Sequence, residues 1–220
     1  MPPEHAPHTL LRITGVQALL TPEVSPPWVD ASIRRAPWVV VRRAEVRPGL
    51  ASVGVRGENR ARRLAAWIGS DAILESVTPC ELSRRRRWQR SSQQRVIPAL
   101  EVLDAVDDIM SSHGFAHAWG PTGSVGFELA SGCATATADS DLDLALWAVP
   151  LPGTDLARSL LAALESLPVR SDVLLETPRG AFALAEYAYA GRRVLLRTTA
   201  GPRLVDRDDD SFGGGKSLAA

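Results

Sequence analysis

The stretch from Trp119 to Leu144 constrains this chain more than any other. It reads W-G-P-T-G-S-V-G-F-E-L-A-S-G-C-A-T-A-T-A-D-S-D-L-D-L. An apolar run at 115–119 predicts a short strand, and the Gly-rich turn 120–124 follows it. Residues 125–130 then predict a turn or two of helix, and residues 137–148 predict a second strand. A strand followed by a glycine turn that opens a helix is typical of a phosphate-binding site, because helix N-termini present free N–H groups to anions.

Two aspartates, Asp141 and Asp143, lie on the second predicted strand. Because strand side chains alternate between faces, these two point the same way while their leucine neighbours point to the core. Two rises of about 3.3 Å separate their Cα atoms, so both carboxylates can approach one or two divalent cations. Mg²⁺ accepts one or two carboxylates and completes its shell with phosphate and water. The pattern predicts Asp141 and Asp143 as catalytic metal ligands, and Gly123 and Ser124 as residues that bind substrate phosphates.

A third carboxylate is expected from a neighbouring strand. Asp172 heads the apolar run at 173–175 and is our candidate, with Glu176 as the alternative on the same face of that strand. Asp172 is expected to be a metal ligand and to help deprotonate an attacking hydroxyl. A solvated acid at the end of a strand remains the other interpretation of Asp172.

Two arginine clusters are candidates for contacts with substrate phosphates. Residues 60–68 have the apolar spacing of an amphipathic helix, with Arg60 and Arg63 in its first turn. The helix dipole disfavours cations there, so we predict that Arg60 and Arg63 bind an anionic substrate, with a solvated basic face as the alternative. Arg84–Arg87 precede Trp88, a combination that suits either a polyphosphate with a stacked base or an exposed linker.

The remaining patterns predict an α+β (mixed α/β) protein. Strands are predicted at 38–43, 51–56, 169–177 and 192–198, and helices at 98–112 and 156–167. The first two strands are expected to pair as a hairpin-like unit, and the later ones to form a mixed sheet flanked by helices. We predict three parts: a small N-terminal α/β unit that binds substrate or carrier (1–90), a catalytic domain (91–205) and a disordered tail (206–220).

Composition excludes several functional classes. The chain has 220 residues, 45% of them hydrophobic, and a formal net charge of zero, so it has no broad electrostatic footprint for a nucleic-acid duplex. No apolar run approaches the roughly 18 residues of a membrane span. The N-terminus lacks the basic and apolar regions of a secretory signal, and two isolated cysteines suggest reduced thiols. We therefore expect a cytoplasmic protein with neither nucleic acid nor membrane as partner.

Several segments together resemble one family, that of malonate decarboxylase holo-acyl-carrier-protein synthase, also called phosphoribosyl-dephospho-CoA transferase. This family is part of the nucleotidyltransferase superfamily, whose signature is Gly-Ser followed by Asp-x-Asp. The similar segments are H-x-L-L-R (8–12), A-P-W-V-V-V-R-R (36–43), V-G-V-R-G (53–57), W-G-P-T-G-S-V-G-F-E-L-A-S-G (119–132), S-D-L-D-L (140–144), S-D-V-L-L-E-T-P-R-G (171–180) and R-T-T-A-G-P-R-L-V (197–205). The tail departs from the family, since it is acidic and Gly-rich where an apolar, Trp-containing end is expected.

The resemblance implies a nucleotidyltransferase-like catalytic domain and a specific reaction. The 2′-(5″-phosphoribosyl)-3′-dephospho-CoA group would pass from its triphosphoribosyl precursor to a serine of the apo acyl-carrier subunit of malonate decarboxylase, with release of pyrophosphate. One or two Mg²⁺ ions, Asp141 and Asp143 would serve the chemistry, and Gly123 and Ser124 would hold the donor's phosphates. The alternatives are another nucleotidyltransferase, such as an adenylyltransferase acting on a small molecule or protein, and a non-catalytic module that binds a nucleotide or the carrier.

Overall fold

Two sheets organise the chain, one in each half. A computed structural model describes residues 5–45, 47–58, 61–90, 97–207 and 209. The N-terminal sheet is antiparallel and five-stranded, in the order β4-β3-β2-β1-β5. Its elements are β1 (Leu10–Ile13), α1 (Pro27–Arg35), β2 (Trp38–Val41), β3 (Leu50–Arg56), β4 (Arg63–Gly69) and β5 (Ile73–Val77).

Both faces of the N-terminal sheet are buried, which explains its continuous apolar runs. Leu11 and Val39 belong to a core cluster beneath α1. Their neighbours Leu10 and Trp38 point the other way and join the core of the C-terminal half. Because side chains alternate along a strand, a run such as W-V-V-V supplies both cores at once. The N-terminal sheet is therefore sandwiched between α1 and the C-terminal half.

The C-terminal sheet is mixed and six-stranded, in the order β11-β10-β9-β8-β7-β6. Only β7 and β8 run parallel, and the other described neighbours are antiparallel. Its strands are β6 (Trp119–Pro121), β7 (Leu142–Trp147), β8 (Ser171–Thr177), β9 (Gly180–Ala183), β10 (Arg193–Thr198) and β11 (Gly201–Asp206). The helices of this half are α2 (Pro79–Arg84), α3 (Pro98–Glu101), α4 (Leu103–Ser112), α5 (Gly123–Ser131), α6 (Thr154–Glu165) and α7 (Leu184–Tyr189).

Helix α2 packs directly against the start of the second sheet. It begins at Thr78, whose side chain accepts a hydrogen bond from the Glu81 amide while Glu81 accepts one from the Thr78 amide. The Ser83 hydroxyl donates to the carbonyl of Trp119 over 2.6 Å. A Cβ at Gly120 would clash with the carbonyl of Pro79, so only glycine allows this approach.

The predicted α+β class and several elements are confirmed. β2 and β3 pair as expected, α6 and β8 lie close to their predicted ranges, and the later strands form a mixed sheet with helices. Among the described residues, no helix has the length and apolarity needed to cross a membrane. The predicted domain boundary at residue 90 stays a prediction, and most of the predicted disordered tail lies outside the described residues.

The predicted helix at 60–68 is wrong. Residues 63–69 form β4, which pairs along its whole length with β3. The buried positions Ala66 and Ile68 alternate with more exposed ones, so the observed period is two and not 3.6. Pairing with β3 overrides a helical spacing that short alanine-rich segments produce easily.

Three further predictions are corrected by the structure. The strand expected at 115–119 begins only at Trp119, and the helix expected at 98–112 is divided at Val102 into α3 and α4. No strand is predicted after 192–198, whereas β11 pairs with β10 across its full length. A tight turn at 199–200 joins the two strands as a hairpin.

Candidate active site

A cavity of about 850 Å³ lies between the two sheets. One wall comes from the N-terminal half and includes Val40, Gly54 and Leu64. The opposite wall comes from the start of α5 and from β7, β8 and β9. A cavity of this size accommodates a ligand as large as a dinucleotide, and its position between two sheets is common for binding sites.

The Gly-rich turn is held against β7 by its own backbone. The amide of Thr122 donates to the carbonyl of Asp143 over 2.8 Å. Gly123 follows with φ +59°, and a Cβ there would clash with Oδ2 of Asp143. Glycine is thus required twice, by the left-handed backbone and by the close approach of the carboxylate. The first amides of α5 and the Asp143 side chain consequently share one corner of the cavity.

The predicted aspartates come together at this corner. Asp143 lies on β7 and Asp141 lies just before that strand, and both line the cavity. Asp172 is the register partner of Asp143 on β8, and it lines the cavity too. Neighbouring strands lie about 4.8 Å apart, so the three carboxylates form an acidic patch opposite the first turn of α5.

The structure separates the two candidates for the third carboxylate. Asp172 is 56% exposed, with Arg170 3.4 Å away. Glu176 is fully buried, and both of its oxygens accept hydrogen bonds from Arg43, over 2.7 and 2.6 Å. His8 also contacts Glu176, over 3.2 Å. Glu176 therefore joins the two halves of the protein and does not face the cavity.

The fit of a metal ion depends on the donor set. Within the described ranges, no group of three or more His, Cys, Asp or Glu side chains is arranged to hold a metal ion by itself. Asp141 and Asp143 nevertheless offer two carboxylates beside the glycine turn. That donor set suits Mg²⁺, which typically uses one or two carboxylates and takes its remaining oxygens from substrate phosphates and water. The role of these residues as metal ligands stays a prediction.

The loop that leads to Asp141 is fixed by two residues of α5. The Ser124 hydroxyl lies 3.4 Å from that of Ser140, and the Ser124 carbonyl accepts a hydrogen bond from Thr135. Glu128 is buried, and its Oε2 accepts hydrogen bonds from the amides of Thr135 and Ala136 over 2.8 and 2.9 Å. Ser124 thus supports the acidic loop as well as lining the cavity.

Arginines surround the acidic patch, although not all of those predicted. Arg63 lines the cavity from the start of β4, whereas Arg60 lies outside the described residues. Four further arginines that the sequence did not predict lie in the cavity wall: Arg42, Arg56, Arg170 and Arg197. A signal was present for Arg42, because it directly follows the buried strand β2. For the others, only the fold brings them to the site.

The second predicted basic cluster lies away from the cavity. Trp88 is fully buried, and its indole N–H donates to Asp104 over 2.9 Å, so its ring is not available to stack on a base. Arg86 pairs with Asp107, and this hydrogen bond raises the pKa of Arg86. Arg85 pairs with Glu81. Trp88 and Arg86 thus attach the end of α2 to α4, through Asp104 and Asp107. Neither interpretation of this cluster anticipated that role.

Comparisons with known proteins agree along nearly the whole chain. The family model for the phosphoribosyl-dephospho-CoA transferase MdcG C-terminal domain matches residues 83–208, and the model for the N-terminal domain matches residues 6–79. A phosphoribosyl-dephospho-CoA transferase of Pseudomonas putida is 42% identical over 200 residues, which are 90% of this chain and 92% of the relative. The protein of that name in Pseudomonas aeruginosa PAO1 is 39% identical over 91% of this chain and 91% of the relative. The one in Azotobacter vinelandii is 40% identical over 90% of this chain and 92% of the relative. No solved structure matches.

Proposed function

Because this chain belongs to the phosphoribosyl-dephospho-CoA transferase family and is a transferase, we propose that its cavity catalyses transfer of the phosphoribosyl-dephospho-CoA group to a carrier protein. The donor is 2′-(5″-triphosphoribosyl)-3′-dephospho-CoA, and the acceptor is a serine hydroxyl on the apo acyl-carrier subunit of malonate decarboxylase. The serine oxygen forms a bond to the α-phosphorus of the triphosphate, and the bond from that phosphorus to pyrophosphate breaks. The serine loses its proton, and a phosphodiester remains on the carrier. Action on this carrier in the cytoplasm is part of the same proposal.

The observation that carries the proposal is the pairing of Asp141 and Asp143 with the Gly123 turn in one corner of an arginine-lined cavity. Amides at a helix start bind phosphate oxygens, and arginine matches phosphate with two parallel hydrogen bonds. A triphosphate seated there has its negative charge neutralised from both walls. The α-phosphorus then lies between the two sheets, where a hydroxyl can enter from the solvent.

Mg²⁺ is the cofactor that fits this donor set, with Asp141 and Asp143 as its protein ligands. When bound, it neutralises charge on the triphosphate and on the departing pyrophosphate. Asp172 lies beside Asp143 on the neighbouring strand, and its proposed role is to accept the proton of the serine hydroxyl. Arg170 lies 3.4 Å from Asp172 and forms an ion pair with it in the cavity wall.

The experiment is a transfer assay read by mass spectrometry. The full chain is incubated with apo carrier subunit, donor and Mg²⁺, with ATP replacing the donor as control. We expect the carrier to gain the mass of one phosphoribosyl-dephospho-CoA group. One pyrophosphate should be released for each carrier molecule that is modified. A mass gain of one AMP in the ATP arm would instead identify an adenylyltransferase, and binding without pyrophosphate release would identify a non-catalytic module.

A pair of aspartate variants links the reaction to the site. Asp143→Asn removes a proposed metal ligand that lies in the cavity wall, so turnover should be lost while the thermal unfolding midpoint changes little. Asp139→Asn is the matched control, because Asp139 is exposed and lies outside this cavity in the turn before Asp141. Wild-type turnover by Asp143→Asn, or equal loss in both variants, would contradict the assignment.

A further inference from the structure

The cavity extends well beyond its acidic corner. Asp172 lies at the acidic end, and Glu176 lies four residues further along β8, which is about 13 Å at about 3.3 Å per residue. The strand register places Ala181 of β9 opposite Glu176, and Arg197 of β10 opposite Ala181. Arg197 lines the cavity, so it marks the end that lies farthest from Asp172 along the strands.

This far end carries positive charge from both sheets. Arg42 lines the cavity from the N-terminal half, next to Arg43, which binds Glu176, and Arg197 lines it from the C-terminal half. The aliphatic part of Arg42 crosses Gly54, where a Cβ would lie only 3.1 Å from Cδ of the arginine. Within the described ranges, neither Arg42 nor Arg197 has a carboxylate within ion-pair distance. Two cations without acidic partners at one end of a cavity favour an anionic ligand.

A buried ion pair fixes the position of Arg42. The next residue, Arg43, is bound by both oxygens of the fully buried Glu176. His8 binds Glu176 as well, and the His8 amide donates to the carbonyl of Val41. The end of β2 is therefore attached to β8, and the charge of Glu176 is used in this joint. Arg42 is therefore held near this end of the cavity, and Glu176 binds Arg43 and not Arg42.

We propose that Arg42 and Arg197 form a second anion site, which binds the diphosphate bridge in the dephospho-CoA part of the donor. This inference rests on the proposed function, since the donor has a triphosphate on one side of its adenosine and a diphosphate on the other. The triphosphate occupies the corner at Gly123, and the adenosine lies along the apolar middle of the cavity, which includes Val40, Leu174 and Ala183. The far end then selects nucleotides that carry a diphosphate over those that do not.

Binding measurements with two separate probes test this site. Titration calorimetry on the full chain uses dephospho-CoA, which has the diphosphate bridge, and inorganic tripolyphosphate with Mg²⁺, which has only the other group. Arg42→Gln and Arg197→Gln should each weaken dephospho-CoA binding by about ten- to a hundredfold, because each loses a charge-assisted hydrogen bond. Tripolyphosphate binding should stay the same. Arg193→Gln is the matched control, since Arg193 is exposed on the same strand but outside the cavity.

Each outcome has a separate meaning. The second anion site is overturned if the wild type does not bind dephospho-CoA, if both variants bind it as the wild type does, or if Arg193→Gln weakens it equally. It is also overturned if tripolyphosphate affinity falls together with dephospho-CoA affinity. A chain that binds dephospho-CoA through Arg42 and Arg197 but transfers nothing to the carrier would overturn the proposed function and leave the second anion site standing.

Discussion

At the scale of single residues, the site depends on a contact between a backbone and a carboxylate. Gly123 has a left-handed backbone, and the space of its missing Cβ is filled by the Asp143 side chain. Sequence alone identified both residues, because Gly-Ser and Asp-x-Asp are local patterns. It did not reveal that they touch, because that contact depends on the pairing of β6 with β7.

Substituting alanine for Gly123 should abolish transfer. The left-handed backbone costs a non-glycine residue about 1–2 kcal/mol, and the new methyl group also displaces Asp143. Gly132→Ala is the control, since Gly132 ends the same helix with φ +73° and has open space around it. The Gly132→Ala variant should be destabilised only by the left-handed backbone and should keep its activity. Thermal unfolding and the transfer assay separate the two effects, and full activity in Gly123→Ala would contradict the contact.

The two cysteines should differ sharply in reactivity. Burial raises the pKa of the Cys80 thiol to about 11, from an ordinary value of 9.0, while Cys133 is only partly buried. Iodoacetamide at about pH 8.5 should label Cys133 in the native protein and Cys80 only after unfolding, because the thiolate is the nucleophile. Peptide mass mapping gives the answer, and native labelling of Cys80 at the rate of Cys133 would disprove it.

The same thiol makes stability depend on pH in a defined window. Between about pH 9 and about 11 the unfolded chain loses the Cys80 proton while the folded chain retains it. The unfolded state then binds fewer protons, so the free energy of unfolding falls as pH rises through this range. Urea unfolding at pH 8 and pH 10 measures the change. Cys80→Ala should show a shallower decrease than the wild type, and identical slopes would refute the assignment.

At the scale of elements, the sequence predicts helices and strands whose own residues determine their conformation. It does not predict those whose conformation depends on pairing with a distant segment. The α6 helix and the β8 strand were predicted because their periodicities are strong. The residues of β4 predict a helix because the pairing with β3, which decides their conformation, is not visible in their own sequence. The sequence also allows Glu176 as a metal ligand, because its partner Arg43 lies 133 residues away and the buried ion pair is not visible locally.

Removal of the Glu176 carboxylate should loosen the joint between β2 and β8. Glu176→Ala leaves Arg43, whose side chain is 16% exposed, without its buried counter-charge. Loss of one partner of a buried pair costs about 3–5 kcal/mol. Asp155→Ala is the control, because it breaks an ion pair whose acid is 97% exposed. The free energy of unfolding of this variant should equal that of the wild type. Urea unfolding of both variants is decisive, and equal stabilities would show that the joint contributes nothing.

At the scale of the whole molecule, each half supplies one wall of a shared cavity. The N-terminal half contributes Arg42, Arg56 and Arg63, and the C-terminal half contributes the carboxylates, the glycine turn, Arg170 and Arg197. The N-terminal half therefore places positive charge opposite the carboxylates of the C-terminal half, which gives a physical reason for a two-part chain. The arginines at 56, 170 and 197 could not be assigned to the site from sequence, because their meeting point is set by how the two sheets pack.

The proposed site is tested most clearly by a crystal structure of the full chain soaked with donor and Mn²⁺, with the metal located by its anomalous scattering. We predict one or two metal peaks between the carboxylates of Asp141 and Asp143 and the triphosphate, whose oxygens accept hydrogen bonds from the first amides of α5. The donor should run from there along the cavity between the sheets. Metal and triphosphate bound away from both aspartates and from Gly123 would contradict the account.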